Sequence, residues 1–141
     1  MSKATVIHIV GSVLLLGGVV LLVETGNVAV ALGTVRPMRE GGASDPAAME
    51  FWRQLTFIRM FATASIGFSA ICFWGGSQLT SMLQTSFLRV LVGALAVMSG
   101  MAFIQQISIW NRGTGWALVG VLCALLLTCL VAVTQRPRAT V

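Results

Sequence analysis

Charges interrupt this chain so rarely that the gaps between them outline its elements. Residues 4–23, 60–88, 90–111 and 113–135 carry no charged side chain. A hydrocarbon core about 30 Å thick needs about 20 apolar residues of helix to cross it. Each gap reaches that length, so the pattern predicts four membrane-spanning helices over about residues 4–23, 46–74, 87–109 and 115–133. The expected fold class is all-α: an integral membrane four-helix bundle, up-and-down, with one long polar loop between helices 1 and 2. Residues 1–141 are then a single transmembrane domain.

Within the first span, His8, Gly11, Ser12, Leu15 and Gly18 recur at helical spacing on one face. Small residues let a neighbouring helix approach closely, and packing drives helix association in lipid, so this face is expected to look inward. The connection after Glu24 carries Gly26, Asn27, Arg36, Pro37, Arg39, Glu40, Gly41 and Gly42 around a short apolar piece, Val28 to Leu32. That piece either dips into the interface or caps the bundle. Ser44-Asp45-Pro46 is a helix-start signal: Asp45 accepts from orphan N–H groups, and proline in the first turn has no donor to lose. The second span therefore begins near Pro46. Its expected 46–74 run is about 43 Å long at 1.5 Å per residue, so the first turns project beyond the hydrocarbon. Gly75-Gly76 is expected to stop it, with residues 75–86 forming a turn. In the fourth span Gly120, Ala124 and Thr128 form a small-residue face, and Pro137 ends the helix.

Composition agrees: 57% of residues are hydrophobic and 9% charged, against about 25% charged in ordinary soluble domains. The net charge of +5 does not point to nucleic acid, because the nine basic residues are scattered singly and form no stripe that tracks phosphates. Cys72, Cys123 and Cys129 sit in apolar spans without metal-ligand spacing, so neither a disulfide nor a metal site is expected. His8 is the sole histidine, whereas a membrane haem takes two axial ligands, so no cofactor is expected. Trp52, Trp74, Trp110 and Trp116 lie near span ends, as an aromatic belt requires.

Four crossings put the two termini and the 75–86 turn on one side. Lys3, Arg89, Arg136 and Arg138 flank that side without an acid. Arg36, Arg39, Arg53 and Arg112 flank the other, together with Glu24, Glu40, Asp45 and Glu50. The termini are assigned to the cytoplasm on this pattern.

Candidate chemistry gathers at the opposite, outer end. An arginine inside a span is costly unless it snorkels, pairs or faces a polar cavity. Thr56, Arg59, Thr63 and Gly67 recur at i, i+3, i+7 and i+11, so Arg59 is expected to face the interior and pair with Glu24, Gln105 or Gln106. A fixed pairing of that kind would make even Arg59→Lys harmful. Glu24, Glu50, Arg53, Arg59, Gln105 and Gln106 thus converge from three helices. Glu24 and Glu50 are the candidate proton acceptors, and Arg53, Arg59, Gln105 and Gln106 the candidate ligand-binding groups. No catalytic triad, metal-binding H-E-x-x-H or phosphate-cradling loop is present.

Four spans, a long polar first loop, and Arg59-Met60-Phe61-Ala62 through Ile66-Gly67-Phe68 opening a small-residue second span resemble small bacterial tetraspan membrane families of unknown function. The resemblance implies an architecture over nearly the whole chain and no activity. Two functional classes follow. One binds, and in an enzymatic form converts, a lipophilic small molecule or lipid at the outer polar end. The other is a non-catalytic accessory or assembly subunit of a larger membrane complex, with other membrane proteins or further copies of itself as partners.

Overall fold

The computed structural model describes residues 2–33, 46–110 and 112–134. Every element among them is helical: α1 (Lys3–Val23), α2 (Thr25–Ala31), α3 (Pro46–Gln78), α4 (Ser81–Ser108) and α5 (Gly115–Thr134). All but α2 are long and apolar enough to cross a membrane. The expected cap at Ser44-Asp45, most of the long polar loop and the basic tail after Thr134 lie outside the described residues.

Two pairs of helices pack along their length, α1 with α3 and α4 with α5, whereas contact between the pairs is sparse. Glycine sets the close pairing of α1 with α3. A Cβ on Gly11 would stand 2.9 Å from the Cβ of Cys72, and one on Gly18 would meet the backbone oxygen of Ala62 at 3.0 Å. Where α1 advances, its partner positions on α3 recede, so the two helices are antiparallel. The inward face of α1 is wider than the small-residue face alone, since Val6, Ile7, Val10 and Leu14 are buried beside Gly11 and Gly18. Leu16, Val19, Val20 and Val23 are exposed, as a lipid-facing side requires.

Gly75 and Gly76 do not stop α3, which runs on to Gln78. Each is a point of close approach instead. The ring of Phe87 would lie 3.1 Å from a Cβ on Gly75, and the imidazole of His8 occupies the place of a Cβ on Gly76. The expected 75–86 turn contracts accordingly, and α4 already begins at Ser81. Glycine weakens a helix in water, but within a packed membrane helix the contact it permits offsets that cost.

At its far end α1 bends at Glu24 into α2. The Thr25 hydroxyl donates to the carbonyls of Leu21 (2.8 Å) and Leu22 (2.7 Å), tying the bend to the last turn of α1. The apolar piece caps the assembly: Ala29 and Leu32 join Phe51, Leu55, Ile58 and Trp110 in a small core of their own. The larger core runs between the four long helices and contains Ile7, Val10, Leu14, Cys72, Leu88, Leu95, Leu122 and Cys129. The three cysteines are free thiols, with Cys72 and Cys129 buried. Gly120 and Ala124 of α5 face outward rather than into a helix contact, and a Cβ on Gly120 would meet nothing within 4 Å.

Candidate functional site

At the end of the molecule capped by α2, the long face of α3 places Gln54 among apolar neighbours. Phe51, Leu55 and Ile58 are buried around it, and Gln54 itself is 2% exposed. An amide held there must find partners, because an unpaired buried polar group is expensive. It has two. Its Nε2 donates to Glu50 Oε1 at 2.9 Å, and its Oε1 accepts from the indole N–H of Trp110 at 3.3 Å. Trp110, expected in an interfacial belt, is 4% exposed and packs edge-on against Phe57, whereas Trp52, Trp74 and Trp116 lie exposed near helix ends. Glu50 also pairs with Arg53 one turn on, at 2.8 Å. A chain of polar contacts therefore leads from an exposed ion pair inward to the end of α4.

Gln106 is buried at the same end. Its Nε2 donates to the carbonyl of Arg112 at 3.2 Å, and its Oε1 lies against Gly115, where a Cβ would collide with it. The absence of a side chain at Gly115 thus lets α5 start directly over the glutamine. Nearby, the Thr114 hydroxyl donates to the carbonyl of Ala31, joining the start of α5 to the end of α2. Among the described residues, three side-chain oxygens of α4 are buried without a hydrogen-bond partner: Ser99 Oγ, Gln105 Oε1 and Gln106 Oε1. An acceptor buried without a donor is costly, and a molecule that reached one of them with a donor would relieve that cost.

The arginine stripe faces the other way. Thr56, Arg59, Thr63 and Gly67 are all exposed, and a Cβ on Gly67 would touch nothing within 4 Å. Among the described residues the Arg59 side chain has no hydrogen-bonding or ionic partner, its carbonyl alone accepting from the Thr63 hydroxyl at 2.9 Å, which corrects the expectation that it pairs with Glu24, Gln105 or Gln106. The register of α1 on α3 gives the reason. Gly18 packs beside Ala62 and Ile66, so the end of α1 is level with Arg59, and at a membrane boundary an arginine reaches headgroups and water by snorkelling. The stripe needs no inward partner at that depth. Arg59→Lys is accordingly expected to change stability in detergent by less than about 0.5 kcal/mol, as for a surface substitution, because lysine snorkels too. A loss well above that value in a denaturant titration would restore a fixed pairing.

Glu24 is also exposed, and its carboxylate accepts from Asn27 Nδ2 at 2.6 Å. Of the six residues singled out from the sequence, Gln105 and Gln106 lie against the interior, Glu50 is linked to it through Gln54, and Glu24, Arg53 and Arg59 stay outside. Gln54 was missed, although a glutamine in register with Phe51 and Ile58 interrupts an otherwise apolar stripe and is a readable signal. Comparison with protein-family models, with curated proteins and with solved structures finds no match to this chain.

Proposed function

We propose that the chain forms an up-and-down four-helix bundle in a membrane and binds a lipophilic small molecule or lipid at the polar end capped by α2, with the glutamines of α4 as its hydrogen-bonding groups. The observation that supports this is the pair of adjacent glutamines with buried side-chain oxygens that lack partners, Gln105 and Gln106. Binding is proposed rather than conversion, because Glu50 communicates with the buried set only through Gln54 and Glu24 bonds outside it. In this reading Arg53 and Arg59 leave the ligand site, so it holds no cation. Mass spectrometry of molecules retained by the protein in mild detergent tests it. The wild type is expected to retain a lipophilic species that the double substitution Gln105→Leu, Gln106→Leu loses. Equal retention by both would reject the reading.

The outward stripe supports a second reading, an accessory subunit that docks another membrane protein along α3. Thr63, Gly67 and Ala70 form a strip of small side chains on that side, flanked by the exposed Met60 and Ile71, which suits a close helix neighbour. Gly67→Leu would then reduce the mass of the native complex on a native gel, whereas a purely lipid-facing Gly67 would tolerate leucine.

The proposed orientation places both termini in the cytoplasm, on the side flanked by Lys3 and Arg89. An impermeant thiol reagent added to intact cells, with the native cysteines replaced, is expected to label a cysteine introduced at position 42 and to spare one at position 140. The reverse pattern would invert the topology.

A further inference from the structure

The contact between α3 and α4 is one of the sparse ones between the two helix pairs. Two observations fix which faces meet across it. Near one end, the Phe87 ring of α4 sits over Gly75 of α3, and at the other end Trp110, just after α4, packs on Phe57 and bonds Gln54. Helical spacing carries each face between these anchors. On α3, Phe57, Phe61, Phe68 and Gly75 share a face; on α4, Phe87, Ala94, Met98 and Gln105 do. The three phenylalanines of α3 are only half-buried, so the seam they line is apolar and leaves part of each ring uncovered. Gln105 stands on this seam towards its Trp110 end, with Oε1 buried and unpartnered.

We infer that this seam holds a neutral lipophilic molecule bearing a hydroxyl, its apolar part along Phe57, Phe61 and Phe68 and its O–H donated to Gln105 Oε1. An amide oxygen only accepts, so the occupant must bring a donor. No charged residue falls between the two anchors on either face; Arg53, one turn before Phe57, is exposed and paired with Glu50, and Arg59 lies exposed on another face, so an anionic headgroup would find no free counter-charge along the seam. The wall of aromatic and thioether groups suits a flexible apolar body. The inference rests on the ligand reading above and adds the groove, the polarity and the charge of the occupant.

Its test is photolabelling of the detergent-purified full chain with hexadecanol carrying a mid-chain diazirine, run beside the methyl ether of the same probe. The two probes differ only in the donor. Residue-level mass spectrometry is expected to place the alcohol's label at Phe57, Phe61, Phe68, Ala94 and Met98, exceeding the ether's by about tenfold, the ratio one neutral hydrogen bond supplies. Gln105→Leu should bring that ratio to about one; Gln105→Met serves if the leucine variant does not fold. Equal labelling by alcohol and ether in the wild type, or a preference that survives loss of Gln105, overturns the inference. An alcohol preference centred on Ser99 and Gln106 overturns the α3–α4 groove while leaving the broader ligand reading in place. Uniform labelling of all outward faces by both probes rejects both.

Discussion

Gly18→Leu is expected to destabilise the protein by about 1–3 kcal/mol or to prevent its folding, whereas leucine at the adjacent Gly17 is expected to be tolerated. The two glycines differ only in helical phase. At Gly18 a Cβ would stand 2.8 Å from a side-chain carbon of Ile66 and 3.0 Å from the carbonyl oxygen of Ala62. The first neighbour can yield by changing rotamer; the second is backbone of α3 and cannot move without parting the helices. Association of helices in lipid relies on packing, since burying apolar surface gains little against an apolar solvent, so separating α1 from α3 removes the contact that holds the pair. Gly17 has nothing within 4 Å of a Cβ, and there leucine meets only lipid while improving helix propensity. Reversible unfolding by titrating a harsh detergent into mild micelles measures both. Equal effects at the two positions would mean that α1 does not meet α3 along the Gly11 and Gly18 face.

The charge-free gaps made the four long helices legible, because a bilayer imposes a length that few other environments do. Side-chain direction was less legible, and Arg59 shows why. A polar stripe deep in hydrocarbon must turn inward, but the same stripe level with the end of a neighbouring helix is free to turn outward, and depth depends on a register between helices that one sequence does not state. Gly75-Gly76 misled for a related reason: glycine reads as a helix stop in water, yet here it marks where His8 and Phe87 come close. The position of Trp110 near a helix end suits a belt residue; its burial depends on α2 folding over it and on Gln54 receiving its N–H. The glutamines of α4 were found because amides are rare in apolar spans. That Gln105 and Gln106, adjacent in sequence, point in different directions follows from the step of about 100° per residue: Gln106 is set against Gly115 of α5, and Gln105 shares its helical ridge with Phe87, the residue that sits over Gly75 of α3.

The contact between Gln54 and Trp110 links the two helix pairs at the capped end, and a double-substitution cycle is expected to expose it as a coupled unit. Gln54→Leu would leave the Trp110 N–H buried with no acceptor and free Glu50 of one of its two partners. Trp110→Phe would leave the Gln54 carbonyl unpaired and open a gap beside Phe57. Removing one partner of a buried hydrogen bond costs about 1–3 kcal/mol, whereas replacing both by apolar groups is close to neutral. The combined variant should therefore be more stable than the sum of the single losses predicts, by a coupling of about 1–2 kcal/mol after allowance for the smaller volume of phenylalanine. The same detergent titration reads all four proteins, and the tryptophan emission of the Gln54→Leu variant should show whether Trp110 has moved towards water. Strict additivity would mean that the indole and the amide do not meet, and that the end of α4 is held to α3 by apolar contact with Phe57 and Ile58 alone.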